Sequence, residues 1–208
     1  MDHASLIQAA TQTLIDHVDE LTALDSAIGD GDHGLNMKRG ALAIQARLRD
    51  GKDAGSLNET LKGAGATCMS TIGGSSGPVF GTLLMTLARE LPAEPGPHDF
   101  AAALAAGIAS LTRLGKAEVG QKTLLDVLDP VQRLLAACDP AAPDLEARVR
   151  QCALDSAAAT AAMDAIRGRA SFLGERALGH VDPGSRSMAL VIGAVCDELS
   201  TARTPRRS

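Results

Sequence analysis

The residues best suited to chemistry lie in one short acidic segment, SAIGDGDHGLNMKRG, from Ser26 to Gly40. Asp30 and Asp32 flank Gly31, and Asp25 stands just before the segment. Because glycine lets the backbone turn sharply, these three carboxylates can converge, and converging carboxylates need a counterion. Carboxylate oxygens suit a hard divalent cation, and Mg²⁺ is commonly held by one or two carboxylates plus substrate phosphates. The segment therefore predicts a site for two magnesium ions, with a solvated acidic turn that caps the next helix as the alternative.

Two neighbouring features suit an anion held near such metals. The segment GGSSGPVFG, from Gly73 to Gly81, places Ser75 and Ser76 before a helix. Backbone N–H groups and hydroxyls at a helix start suit phosphate oxygens, although a flexible linker would have the same composition. His33 and Asn36 stand at the start of the helix after the acidic segment, where they either cap that helix or touch the ligand.

The segment GKAEVGQKT, from Gly115 to Thr123, is similar to a Walker A loop. It has one residue too many before its second lysine and no preceding strand, so a P-loop is excluded. Lys116 and Lys122 are expected on the solvated surface, with a contribution of positive charge to the site as the alternative. A fourth segment, GRASFLGERALGHVDPGS from 168 to 185, supplies Arg169, whose planar guanidinium can neutralise a phosphate.

The composition limits the fold and excludes several functions. The 208 residues contain three Phe and no Trp or Tyr, so Ala, Leu, Val, Ile and Met must build the core, which favours packed helices. A net charge of −5 without a basic stripe argues against nucleic-acid binding. No apolar run is long enough to span a bilayer. Four scattered cysteines without a C-x-x-C pair indicate free thiols in a reducing cytoplasm and exclude a zinc site.

Apolar residues recur with helical periodicity along the whole chain. The pattern predicts eight helices, at roughly 4–24, 35–49, 56–71, 77–91, 98–113, 122–138, 144–167 and 184–201, with a frayed tail at 202–208. The four segments with unusual polar residues are the connections after helices one, three, five and seven. In an up-and-down bundle these odd-numbered connections lie at the same end. The sequence therefore predicts an all-α fold with one site assembled at one end.

These four segments, in this order, resemble the signature loops of the dihydroxyacetone kinase L subunit, the nucleotide-binding domain of that kinase. The resemblance is carried by LDSAIGDGDHGLNM, GGSSGPVFGT, GKAEVGQKTLLDV and GRASFLGERALGHVDPGS, and it extends from about Leu6 to Leu199. It implies a single L-type nucleotide-binding domain over 1–208. The implied architecture is an eight-helix antiparallel up-and-down barrel with the nucleotide at one end.

The resemblance also implies roles for individual residues. Asp25, Asp30 and Asp32 would bind two Mg²⁺ ions that bridge to the diphosphate of ADP, and Arg169 would face the phosphates. These four residues form the expected catalytic set. Gly115 and Leu124 would border the adenine pocket. The full set expected to bind ADP or ATP is His33, Gly34, Leu35, Asn36, Ser75, Ser76, Gly115, Leu124, Arg169, Asp182, Pro183 and Gly184.

The expected function is a phosphoryl relay in the cytoplasm. A phosphohistidine-bearing M subunit of the phosphotransferase system would phosphorylate bound ADP, and the resulting ATP would phosphorylate dihydroxyacetone on a partner K subunit. The chain ends soon after its eighth helix without a sugar-binding domain, which favours this arrangement over a fused ATP-dependent kinase. The alternatives are an ATP-dependent kinase subunit for another short ketose such as erythrulose, and a non-catalytic nucleotide-sensing module. A transcriptional regulator and a second copy of the chain are further candidate partners.

Overall fold

The computed structural model describes residues 3–51 and 55–203. The described residues form helices and connecting loops, with no strand among them, so the all-α prediction is confirmed. The α-helices of this part of the chain are α1 (His3–Asp16), α2 (Val18–Ile28), α3 (His33–Arg49), α4 (Leu57–Thr71), α5 (Ser76–Glu90), α6 (Pro97–Gly115), α7 (Leu125–Ala137), α8 (Leu145–Ala159) and α9 (Pro183–Arg203). Two 3₁₀ helices, Thr160–Ala162 and Arg169–Ala177, lie between α8 and α9. None of the described helices is both long and apolar enough to cross a lipid bilayer.

The first predicted helix is divided in two at His17. The ring Nδ1 of His17 lies 2.8 Å from the carbonyl oxygen of Thr13, within the last turn of α1. Backbone hydrogen bonds from His17 to Thr13 and from Leu21 to His17 nevertheless continue through the break. Thus α1 and α2 form one bent rod, and with this rod counted once the described helices number the predicted eight.

The predicted helix over 144–167 is wrong in its last two turns. Helix α8 ends at Ala159, and the chain then turns through the first 3₁₀ helix. The Thr160 hydroxyl donates to the Ala157 carbonyl at 2.6 Å, and the side chain of Lys122 takes the carbonyls that a longer α-helix would use. At the carboxyl end, α9 continues through Arg203, so it includes the first two residues of the predicted frayed tail. Residues 204–208 lie outside the described residues.

The helices pack in sequence order into a closed ring. Each helix from α3 onward contacts the next one along the chain, and α9 returns to pack against α1. Apolar side chains fill the interior, and those exposed by no more than 1% include Leu21, Met37, Val127, Leu128 and Ala189. Burial of such side chains contributes about 1.5–3 kcal/mol for each large residue. The polar residues of interest are therefore confined to the ends of this ring.

Candidate metal and anion site

The four polar segments meet at one end of the ring. His33, the first residue of α3, contacts Ser76 at the start of α5 and Ser187 in the first turns of α9. Arg169 forms an ion pair with Asp30, which joins the fourth segment to the first. These contacts join the first, second and fourth segments, and Lys122 of the third segment donates to the Ala177 carbonyl of the fourth, so the odd-numbered connections share one end as predicted.

The same contacts bring helix amino termini together. Helices α3, α5 and α9 all begin around His33. The free N–H groups and the dipole of each helix make its amino terminus electropositive, equivalent to about half a unit charge. Three such termini at one end favour a bound anion, even though the neighbouring loop is acidic.

The three aspartates converge as their spacing predicts. Carboxylate oxygens of Asp25, Asp30 and Asp32 all lie within 4.8 Å of one another. Asp25 is buried in the last turn of α2, whereas Asp30 is exposed on the following loop. Gly31 takes a positive φ of 75°, a backbone conformation that few other residues adopt, and so allows the turn between Asp30 and Asp32.

Asp25 accepts hydrogen bonds from the backbone at the start of α3, and these bonds fix both the side chain and the loop. Its Oδ2 accepts hydrogen bonds from the N–H groups of Asp32 at 2.9 Å and His33 at 3.1 Å. A Cβ atom at Gly29 would lie closer than van der Waals contact to the other carboxylate oxygen of Asp25. Asp25 therefore caps α3 and is fixed in orientation. The alternative interpretation of the acidic segment, as a turn that caps the next helix, is thus correct for Asp25. Asp32, the residue at the cap position itself, makes no side-chain capping hydrogen bond.

The donor set fits a hard divalent cation. Three carboxylates without a thiol or an imidazole among them match the oxygen preference of Mg²⁺, whereas zinc sites are built mainly from Cys and His ligands. Two N–H groups and Arg169 offset only part of the repulsion among three negative charges. A bound cation would cancel the remainder, and the helix amino termini alongside would favour a phosphate on that cation.

His33 bridges three helices as a neutral imidazole. Burial lowers the pKa of His33, against the opposing effect of the Asp25 and Asp32 carboxylates. The Ser187 hydroxyl donates to the carbonyl of Gly184 at 3.0 Å, so Nε2 of His33 donates to Ser187. Nδ1 then accepts from the Ser76 hydroxyl at 3.2 Å, which aims the lone pairs of that oxygen away from the ring.

Residues near His33 divide between the site and the packing beneath it. Ser75 is exposed at the start of α5, and Leu35 is 59% exposed on the first turn of α3. Gly34 is buried against α2, where a Cβ would collide with the Thr22 side chain. Asn36 is buried and accepts a hydrogen bond from Arg39.

Lys122 is buried, contrary to the expectation of a solvated surface lysine. It is 2% exposed, and its Nζ donates to the carbonyls of Thr160 at 2.8 Å and Ala177 at 2.9 Å. Burial lowers the pKa of Lys122, while the Asp182 and Asp164 carboxylates oppose that shift. Its donors are directed at backbone carbonyls, so Lys122 supplies structural support and not an exposed charge for phosphate.

Asp182 caps α9 beside this lysine. Its Oδ2 accepts a hydrogen bond from the N–H of Ser185 at 2.6 Å, and its own N–H donates to Thr160 Oγ1 at 3.0 Å. Burial raises the pKa of Asp182 to about 6, against the lowering effect of the Ser185 hydrogen bonds and the Lys122 charge. Pro183 is buried and Gly184 half-buried at this same turn.

Gly115 and Leu124 are set apart from the acidic cluster. Gly115 is exposed at the end of α6, and Leu124 is partly buried against the core at the start of α7. Among the described residues, no hydrogen bond or ion pair connects either residue with the three aspartates. Their predicted place beside adenine stays a prediction.

Asp126 is a structural residue of this end that sequence reasoning missed. Its carboxylate accepts hydrogen bonds from the N–H groups of Gly120 and, at 2.7 Å, of Thr123, so it shapes the loop that carries Lys122. A sequence signal was present, because an acid three residues after a threonine matches the capping box. Thr123 Oγ1 indeed accepts from the N–H of Leu125 at 3.3 Å.

Known proteins with similar sequence and structure fit this geometry. The DAK2 domain family matches residues 27–197. The ADP-binding subunit DhaL of PEP-dependent dihydroxyacetone kinase 1 from Listeria innocua is 38% identical over 84% of this chain and 84% of its own length. The ADP-binding subunit DhaL of the PTS-dependent enzyme from Lactococcus lactis is 36% identical over 86% of this chain and 88% of its own.

A solved structure shows the same fold. The dihydroxyacetone kinase from C. freundii, in complex with AMP-PNP and Mg²⁺, superposes with a TM-score of 0.76 at 26% identity and covers 94% of this chain. The chain spans 33% of the length of that protein. With most of its length matched in sequence and in fold, the chain belongs to the DAK2 domain family.

Proposed function

We propose that this chain is the ADP-binding subunit of a dihydroxyacetone kinase and binds the nucleotide diphosphate together with magnesium. The observation that carries the proposal is the convergence of three carboxylates at the end where helices α3, α5 and α9 begin. Carboxylates alone would repel a diphosphate, and helix amino termini alone would not require acids. A metal–diphosphate complex satisfies both features.

Each residue of the site has a distinct part in this proposal. Asp25, Asp30 and Asp32 hold the two magnesium ions, which neutralise charge on the phosphate oxygens and orient them when bound. Arg169 reaches Asp30 and is therefore within reach of a phosphate at these carboxylates, where its guanidinium offsets charge on the transferred group. Ser76, oriented by His33, and the N–H groups of α5 complete the phosphate contacts.

The adenine moiety lies along the rim of the ring. Leu35 offers an exposed apolar surface at the start of α3, and Leu124 offers a partly buried one at the start of α7. Gly115 allows close approach at the end of α6, and the turn from Asp182 to Gly184 closes the rim. These contacts are proposed from the resemblance and from the exposure of the residues.

The phosphoryl group passes through the bound nucleotide. The donor is a phosphohistidine-bearing M subunit, and the acceptor is dihydroxyacetone held by a K subunit. The similarity to relatives named as subunits of PEP- and PTS-dependent dihydroxyacetone kinases supports this assignment. Catalysis by this chain then consists of positioning and charge neutralisation, which are the main contributions in phosphoryl transfer.

Calorimetry tests the nucleotide site directly. ADP titrated into the full chain with magnesium is expected to bind, and ADP titrated in EDTA is expected not to bind. Asp30→Asn should abolish binding, because it removes one charge from the shared metal site. The control Asp155→Asn changes an exposed carboxylate on α8 that accepts a hydrogen bond from Gln151, and it should bind like the wild type. Binding by Asp30→Asn at wild-type affinity would refute the metal assignment.

Reconstitution tests the relay. The chain is mixed with a K subunit and dihydroxyacetone, and it is supplied either with the phosphotransferase proteins and phosphoenolpyruvate or with ATP alone. We expect turnover with the phosphotransferase proteins and phosphoenolpyruvate, and none with ATP alone. Turnover with ATP alone would instead identify free ATP as the phosphoryl donor. Replacing dihydroxyacetone with erythrulose in the same assay tests which sugar is the acceptor.

A further inference from the structure

Lys122 occupies an unusual position for a lysine. It is 2% exposed, its backbone has a positive φ of 60°, and its Nζ lies within 3.5 Å of four backbone carbonyl oxygens. Those carbonyls belong to Thr160, Ala161, Met163 and Ala177. A buried ammonium is costly unless its donors are satisfied, so the acceptors must be held in place around it.

These carbonyls belong to the two ends of one segment. Thr160 begins the first 3₁₀ helix, and Ala177 ends the second. The ammonium donates to both, at 2.8 and 2.9 Å, and so clamps the base of the loop between them. Arg169 lies within that loop and reaches across the end of the ring to Asp30.

Within the described residues, few backbone hydrogen bonds hold this loop to other elements, and its second 3₁₀ helix packs against α2. The Gly179 N–H donates to the Ala161 carbonyl at 2.8 Å, and the Ile166 N–H lies 3.5 Å from the Gln121 carbonyl. Gly168 and Gly174 take positive φ angles within the loop, so the local backbone is not a regular helix that would fix Arg169 by itself. The position of the guanidinium therefore depends on how the base of the loop is fixed as well as on the packing of the second 3₁₀ helix against α2.

We propose that Lys122 is a positioning residue, which fixes the 160–177 segment so that Arg169 meets the phosphates of the bound nucleotide. The inference rests on the proposed function, since it assigns Arg169 a phosphate to meet. Asp126 helps to fix the loop that carries Lys122, because its carboxylate accepts hydrogen bonds from the N–H groups of Gly120 and Thr123. Lys122 itself does not touch the nucleotide in this proposal.

A double-mutant cycle tests whether Lys122 acts through Arg169. Affinity for ADP with magnesium is measured for the wild type, Lys122→Met, Arg169→Gln and the double variant. Lys122→Met should weaken binding about tenfold, equivalent to about 1.4 kcal/mol. In the double variant the loss should exceed that of Arg169→Gln alone by no more than about twofold, because the two residues serve the same contact. Lys122→Arg, which keeps the charge and donors, should recover part of the affinity.

Further measurements separate positioning from general stability. Hydrogen exchange should be faster in residues 163–179 of Lys122→Met, with α4 and α5 unchanged. The control Lys62→Met removes an exposed lysine on α4 and should match the wild type in both assays. If Lys122→Met does not fold, Lys122→Gln, with a shorter arm and a neutral donor, takes its place in the cycle.

Two results would overturn the inference while leaving the proposed function intact. One is wild-type affinity in a folded Lys122 variant, and the other is losses that multiply in the double variant. Failure of the wild type to bind ADP with magnesium would overturn the proposed function and this inference together. The wild-type titration therefore distinguishes the two failures.

Discussion

Two buried charges of opposite sign organise the two halves of the end at which the polar segments meet. Asp25 accepts hydrogen bonds from two backbone N–H groups, and Lys122 donates to backbone carbonyls. The partners of Asp25 follow it by seven and eight residues, whereas the two closest partners of Lys122 follow it by 38 and 55 residues. The acidic half is thus a local structure, and the half that carries Arg169 depends on distant parts of the chain.

The two charges also differ in what they leave for a ligand. Asp25 uses one carboxylate oxygen for the backbone, and the neighbouring Asp30 is exposed, so oxygen lone pairs are available to a cation. Lys122 has three N–H donors, and backbone carbonyls surround them. A buried charge in a polar loop is therefore available to a ligand only when it has more hydrogen-bonding capacity than the backbone uses.

The largest effect on binding and stability is expected from replacing Asp25, which holds the acidic half in place. Asp25→Ala should lose detectable binding of ADP with magnesium and should also reduce the free energy of unfolding by about 3 kcal/mol, because two N–H groups lose their acceptor. Asp30→Ala should lose binding to a similar degree but change stability by less than about 1 kcal/mol, since its partner Arg169 is largely exposed. Urea denaturation and calorimetry measure the two quantities. Equal stability of both variants would contradict the anchoring role of Asp25.

The same contrast explains what the sequence allowed us to predict. The acidic cluster depends on spacing within eight residues, and the helices depend on a period of 3.6 residues, so both are local patterns. The prediction of one shared end follows from the number of helices and from the position of the four polar segments after every odd-numbered helix. The sequence predicts His33 as a site residue, but it does not predict the contacts of His33 with Ser76 and Ser187, because those residues are 43 and 154 positions away.

The structure of the region between α8 and α9 could not be predicted from local sequence patterns, because a distant contact determines it. Its apolar and alanine-rich sequence favours a longer helix, and the predicted helix therefore continued to 167. The structure ends α8 at Ala159 because the following carbonyls bind Lys122, a contact across 38 residues. A buried lysine bonded to carbonyls has no local signature, which is why Lys122 was expected at the surface.

The loop that carries Lys122 offers the second test of the comparison. Asp126→Ala removes the acceptor of the Gly120 and Thr123 N–H groups and should lower the free energy of unfolding by about 2–3 kcal/mol. Asp129→Ala is the matched control on the same helix, because it breaks only an ion pair with the exposed Arg133 and should cost less than about 1 kcal/mol. Similar losses in both variants would mean that the loop needs no support from α7.

A third test uses the pH dependence of stability. Burial raises the pKa of Asp182 from 3.8 to about 6. Between these values the unfolded chain ionises Asp182 while the folded chain keeps its proton, so this group destabilises the fold progressively as pH rises and fully above about pH 6. A shift of two pKa units corresponds to about 3 kcal/mol, and solvent screening of the half-buried carboxylate reduces this effect to about 2 kcal/mol.

Asp182→Asn removes that ionisation and keeps an acceptor for the Ser185 N–H. The variant should therefore be about 2 kcal/mol more stable than the wild type at pH 7 and nearly equal to it at pH 4. Urea denaturation of both proteins from pH 4 to pH 7 measures the difference. A difference that does not change with pH would show that Asp182 ionises in the fold as it does in the unfolded chain.

The smallest effect is expected from crowding the acidic half without removing a charge. Gly29→Ala places a methyl group against the carboxylate of Asp25, which two N–H groups hold in place, so the carboxylate must shift. We expect about tenfold weaker binding of ADP with magnesium and a stability loss of about 1 kcal/mol. Gly193→Ala, in α9, meets its nearest neighbour at an ordinary 3.7 Å and should bind normally with unchanged or slightly higher stability. If Gly29→Ala also binds normally, the metal site tolerates a shift of the Asp25 carboxylate and requires only its charge.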